Sequence, residues 1–284
     1  MKTFFSIALA LLLTTTLHAQ QKQQLPAGTD AHRDIAYVPG GGNSQSLDLF
    51  IPGNPTKPLP VVVWIHGGAW KAGDKKFCPA MPLLNRGYAV ASLNYRLSQE
   101  AIFPAQIHDC KAALRWLRAN AQKYHLDPNR IGVWGGSAGG HLVALLGTSG
   151  GVKELEGDEG NLKYSSRVQA VCDWFGPSDF TSIRSQAADG PVAALLGGIA
   201  SEAKQKAILA SPVTYVNKAN PPCLIMHGDK DPTVPFQQSE LLYDKLKKAG
   251  VDVTFKPVPG AGHGFGGSEI QKQVFDFFDK HLKK

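Results

Sequence analysis

The chain has 284 residues, 43% hydrophobic and 19% charged, with 30 Gly and 19 Pro but no G-X-Y period, which excludes collagen-like and low-complexity classes. A formal charge of +7 and a pI near 9.2 raise the question of nucleic acid. No basic stripe carries that charge. Its densest spots, Lys75-Lys76, residues 245–248 and residues 280–284, read as solvated helix faces or chain ends, so no nucleic-acid partner is expected.

In chain order, Lys2, the apolar run 4–13 and the small residue Ala19 predict a secretory signal over residues 1–19. The run is short for a bilayer span, so an exported, periplasmic or secreted protein with no stable membrane insertion is expected. Residues 20–31 are Gln-rich and aperiodic and read as a flexible leader, and 32–284 read as one domain. Residues 47–51 alternate at period 2, whereas 60–65 are apolar on both faces, the mark of a central, usually parallel strand. Comparable runs at 88–93, 130–134, 168–172 and 223–226 predict further strands, and the alternating 251–255 an edge strand. Residues 103–120 place Ile107, Cys110, Ala113, Leu114 and Leu117 on one helical stripe, with Lys111, Arg115 and Arg118 off it; 239–249 and 269–283 repeat the arrangement. This alternation predicts an α/β fold, a doubly wound, mostly parallel sheet with helices on both faces. Residues 177–212 break the rhythm and read as a small lid or pocket-wall insertion over the strand ends. Four cysteines, Cys78, Cys110, Cys172 and Cys223, allow three full pairings, and the apolar settings of Cys172 and Cys223 equally suit buried free thiols. There is no CxxC and no metal-like Cys/His spacing.

The chemistry concentrates in the loops. Gly135-Gly136-Ser137-Ala138-Gly139 is a G-x-S-x-G directly after a buried strand and before a helical run, the context of a nucleophile elbow that lifts the Ser137 hydroxyl out of a strained turn. A serine hydroxyl needs a base, an orienting acid and donors for an oxyanion. His263, in a glycine-rich loop between the last strand and the last helix, is the candidate base; His66, His141 and His227 abut strand ends and read as bracing residues. Asp231 stands far out on the turn after the strand 223–226 and is the candidate acid, with Asp229 as the competitor that could instead organise the turn through Asx-type bonds. The loop His66-Gly67-Gly68-Ala69-Trp70 offers backbone N–H groups to a developing oxyanion, and Ala138 offers another. Trp70, Trp174, Phe175 and Phe265 read either as aromatic walls of a substrate pocket or as core packing.

Together HGGAW, GGSAGGHL, HGDKDPTVP and GAGHGF, with Asn94-Tyr95-Arg96-Leu97 and the segment 172–177, resemble the α/β-hydrolase superfamily, and within it the esterase/lipase group that includes bacterial acetyl-xylan and feruloyl esterases. The resemblance spans residues 33–284 and implies Ser137 as nucleophile, Asp231 as acid, His263 as base, and the N–H groups of Gly68, Ala69 and Ala138 as the oxyanion hole. Ala69 stands where many relatives carry a third glycine, and the short 177–212 insertion is unlike the large cap expected for long-chain lipid. The expected activity is a serine carboxylesterase acting through an acyl-enzyme on acetyl or feruloyl esters of plant polysaccharides, or on similar short or aromatic esters, with no metal or organic cofactor. A serine peptidase of the prolyl-oligopeptidase type and a non-catalytic binder on a hydrolase fold are the alternatives.

Overall fold

The computed structural model describes residues 25–183 and 188–283. The expected signal over residues 1–19 and the first part of the expected leader lie outside the described residues. The strands are β1 (Asp30–Ala36), β2 (Ser46–Ile51), β3 (Leu59–Ile65), β4 (Ala89–Leu93), β5 (Leu126–Gly136), β6 (Ala170–Trp174), β7 (Cys223–Gly228) and β8 (Val253–Val258). They form one eight-stranded sheet in the order β1-β2-β4-β3-β5-β6-β7-β8. β1 and β2 are antiparallel additions at one edge, and every pairing from β4 to β8 is parallel. The helices are α1 (Ala105–Ala119), α2 (Ala138–Thr148), α3 (Lys153–Glu156), α4 (Pro191–Leu196), α5 (Lys204–Ala210), α6 (Gln237–Lys248) and α7 (Ser268–Leu282).

The two-sided apolar strands create two cores. Val61, Val63 and Ile65 of β3 pack with Leu114 of α1, Leu142 of α2 and Leu242 of α6. Val62 and Trp64, one residue out of phase, pack with Leu83, Leu84 and with Val274 and Phe278 of α7 on the other face. Each fully buried aliphatic side chain contributes about 1.5–3 kcal/mol relative to exposure, so a continuous apolar strand is stable only when covered on both sides. The alternation also separates the cysteines. Cys172 and Cys223 sit on neighbouring strands but in opposite cores, and all four cysteines are buried and form no disulfide among the described residues.

Four local expectations change. β1 begins at Asp30, inside the segment read as a leader; its charged sequence shows no apolar alternation because it is held by pairing with β2, and a bulge between His32 and Ile35 interrupts that edge. β8 runs on to Val258 through Pro257, which a one-sided edge strand accommodates because its outer N–H positions need no partner. Lys75 is not solvated: its ammonium is buried and bonded to Asp48 Oδ1 at 2.9 Å and Asp34 Oδ1 at 2.6 Å. Nor do Lys111, Arg115 and Arg118 form a wet face of α1. The 149–167 segment covers them, and Arg115 donates to the carbonyls of Glu156, Glu159 and Gly160 at 2.6–2.9 Å. Residues 177–212 carry α4 and α5, tied to the body by Ser178 and Asp179 N–H bonds to Gln238 Oε1 and by the bond from Phe103 N–H to Leu195 O.

Candidate active site

β5 ends at Gly136 and α2 starts at Ala138, so the chain reverses at Ser137, which takes φ 57° and ψ −119°. A non-glycine residue in that region stores about 1–3 kcal/mol of strain. The turn is pinned by Ser137 N–H donating to Trp174 O and by His141 N–H donating to Ser137 O, both at 2.9 Å. A Cβ on Gly135 would stand 2.4 Å from Gly139 O, and one on Gly139 only 2.0 Å from Ile65 O, so β3, β5 and α2 meet at a distance that glycine alone permits. From Ile131 to Ser149, Ser137 is the one residue that is not buried.

The loop between β8 and α7 lays His263 over this turn. Its Nε2 lies 2.9 Å from Ser137 Oγ, and its Nδ1 lies 2.7 Å from Asp231 Oδ2 in the loop after β7. With Nδ1–H donated to the carboxylate, Nε2 is the acceptor that faces the serine O–H. The Asp231 side chain is fully shielded and that of His263 is 22% exposed. Burial alone would raise the Asp231 carboxyl, but hydrogen bonds from His263 and from the Thr233 and Val234 N–H groups outweigh it and hold the carboxyl below its ordinary range. Asp229 points elsewhere: its Oδ1 accepts Gly260 N–H at 2.7 Å and so orders the loop that carries His263. His227, its pKa lowered by burial, donates Nε2–H to Val234 O at 3.1 Å, accepts the Ser239 O–H at Nδ1 at 2.7 Å, and places Nε2 3.2 Å from Asp231 Oδ2.

The loop after β3 lies against the same turn, since a Cβ on Gly67 would be 2.8 Å from Gly136 O and 3.4 Å from Ser137 Cβ. Gly68, Ala69 and Trp70 all have positive φ. The N–H groups of Gly68 and Ala69 donate to nothing among the described residues, and Ala138 opens α2, where an N–H has no carbonyl partner within the helix. This is a cluster of unspent donors at a helix N-terminus beside a hydroxyl, an arrangement that favours negative charge. The loop itself is braced. His66 Nδ1–H donates to Gly67 O at 2.8 Å, the ring stacks on Tyr95 at 4.4 Å, and Tyr95 O–H donates to His66 O at 3.0 Å.

The aromatic residues divide. Trp70 does not line an open pocket: it is buried, its indole N–H donates to His141 Nδ1 at 3.2 Å, and its ring meets Phe180 at 5.7 Å. His141 Nε2–H in turn donates to Ala210 O at 2.8 Å, so one imidazole, its pKa pushed down to about 4 by burial, joins the loop after β3, α2 and the end of α5. Trp174 is buried as well and meets Trp134 edge-on at 4.8 Å. Phe175 is also buried but stands beside the triad, 4.8 Å from the His263 ring and 5.1 Å from Phe265, which is half-buried. Sequence reasoning assigned no role to Asp173. Its carboxyl is buried beneath the elbow, accepts Gly176 N–H at 3.0 Å, lies against the Cα of Gly140, and is pushed up to about 7 by burial. A charged residue inside the apolar run of β6 was the available signal.

The BD-FAE family model matches residues 47–246. Esterase LipQ of Mycobacterium tuberculosis is 33% identical over 255 residues, 82% of this chain and 56% of its own length. The chain thus spans about half the length of the curated relatives it matches. Among solved structures, a truncated form of a carbohydrate esterase from gut microbiota is 38% identical with a TM-score of 0.84, over 90% of this chain and 97% of that one. A bifunctional GH43-CE protein of Bacteroides eggerthii is 38% identical with a TM-score of 0.85, over 88% of this chain and 35% of that one.

Proposed function

We propose, from the premise that this chain belongs to the BD-FAE family and has the α/β-hydrolase fold, that it is a serine carboxylesterase. The observation that carries the reading is the unbroken line from Ser137 through His263 to Asp231, with contacts of 2.9 and 2.7 Å, at the one residue between Ile131 and Ser149 that is not buried. Ser137 Oγ attacks the ester carbonyl carbon as His263 Nε2 takes its proton. The carbonyl oxygen becomes the oxyanion and is met by the N–H groups of Gly68, Ala69 and Ala138, while Asp231 holds the imidazolium. His263 then protonates the departing alcohol, and a water molecule, deprotonated by the same imidazole, releases the acid from the acyl-enzyme. No cofactor enters any step.

Within that class the favoured substrates are acetyl or feruloyl esters of plant polysaccharides. The name of the carbohydrate esterase neighbour, the Phe175 ring beside His263 and the half-buried Phe265 ring next to Phe175 support this choice. Ser137→Ala is expected to lower hydrolysis of a p-nitrophenyl ester by about 10⁴-fold or more. Retention of full activity would overturn the mechanism. Methyl ferulate and acetylated xylan, compared with p-nitrophenyl butyrate, test the finer choice, and a preference for the plain butyrate would remove it.

A further inference from the structure

The loop after β3 has two sides. One faces Ser137. The other borders a second, polar cavity of about 300 Å³, at the lower end of ligand-sized pockets. It lies at the same end of the sheet as the triad, because it is lined by residues that follow the carboxyl ends of β3 and β4: His66, Asp74, Tyr95 and Glu100. Asn43 and Ser44, just before the antiparallel β2, close it.

Its groups are incompletely used. The Asn43 side-chain amide, the Ser44 hydroxyl and His66 Nε2 hold no hydrogen bond among the described residues. Because His66 Nδ1–H is committed to the Gly67 carbonyl and burial keeps the ring neutral, Nε2 is an acceptor. Glu100 uses Oε2 on Leu97 N–H, which leaves Oε1, and Asp74 uses Oδ1 on Lys76 N–H, which leaves Oδ2. The free set is therefore rich in acceptors, with one amide and one hydroxyl able to donate. Two carboxylates repel an anionic ligand. The Lys76 ammonium, 4.0 Å from Asp74 Oδ2, offsets part of their charge, and among the described residues no three His, Cys, Asp or Glu side chains converge for a metal ion. A ligand offering many O–H donors and no charge satisfies these groups best.

We infer that this cavity binds a neutral sugar unit of a polysaccharide chain, a saccharide site on the far side of the oxyanion loop from His263; its choice of polymer rests on the plant-polysaccharide reading above. The unit held there is not the one whose ester is cleaved, because the leaving oxygen must lie beside His263 Nε2. The site instead anchors the polymer and stiffens the 66–74 loop that presents Gly68 and Ala69.

Unesterified xylotetraose is the probe, titrated calorimetrically into the full chain, so the readout needs no hydrolysis. Binding is expected, weakened at least tenfold by the pair Asp74→Ala and Glu100→Ala and changed less than twofold by Phe265→Ala beside the triad. Should the alanine pair fail to fold, Asp74→Asn with Glu100→Gln keeps the side-chain shapes and must still weaken binding at least threefold. No xylotetraose binding, or binding lost through Phe265→Ala and not through the cavity pair, overturns the inference. Failure of the esterase reading is a separate result: it shows as an inert chain in the p-nitrophenyl assay while xylotetraose still binds.

Discussion

The turn around Ser137 and the covered face of α1 treat hydrogen-bonding groups in opposite ways. Around α1, Lys111, Arg115 and Arg118 are buried, and their donors are used on carbonyls and on Glu156. At the turn, the Gly68 and Ala69 N–H groups have no partner among the described residues and lie beside a strained hydroxyl that is not buried. Spent polar groups mark structure, because a buried charge is tolerated only when satisfied. Unspent ones mark a place where a ligand completes the pairing.

That contrast can be broken at either end. The largest expected effect is on the triad: Asp231→Asn should lower kcat by about 10³–10⁴-fold, because the His263 tautomer is no longer fixed, with little change in melting temperature. Steady-state kinetics beside a thermal melt would check both halves. At α1 the pattern should invert. Arg115→Ala leaves three carbonyls and part of Glu156 unpaired and should destabilise the chain by about 3 kcal/mol in urea unfolding, while kcat per folded molecule stays the same. Gly139→Ala should lie between the two, losing about 1–3 kcal/mol and activity together, because its methyl group meets Ile65 O, in the strand that leads into the oxyanion loop.

A pH slope tests the same contrast without touching the triad. His141 has a folded pKa near 4 against an ordinary 6.5, so the unfolded chain takes up a proton that the native state refuses. Its stabilising contribution is complete above pH 6.5 and falls as pH drops toward 4. His141→Gln can keep both hydrogen bonds but cannot titrate, and urea midpoints across that window should decline less steeply than in the parent chain. An unchanged slope would mean that His141 does not set it.

Legibility followed the range of the interactions. The elbow, the Asp231 turn and the His263 loop were readable because each is a short segment whose glycines and prolines enforce a local backbone shape. The central strands were readable because two-sided burial leaves a continuous apolar run. β1 was not, since Asp30 to Ala36 is a strand only by virtue of β2. The environment of Lys75, Lys111 and Arg115 was not either, because a lysine on a wet face and one buried against distant carbonyls look alike in one dimension. Trp70 reads as a pocket wall until His141, 71 positions away, takes its N–H.

By itself the sequence determined the layered α/β architecture and which residue types could do acyl-transfer chemistry, because periodicity and turn composition are local properties. The tertiary structure alone decided that Asp229 orders the loop that carries His263, that Trp70 braces rather than lines, and that a polar cavity borders the loop after β3. Each depends on which groups remain unpaired once residues far apart in the chain have met. Only the packed molecule fixes that remainder.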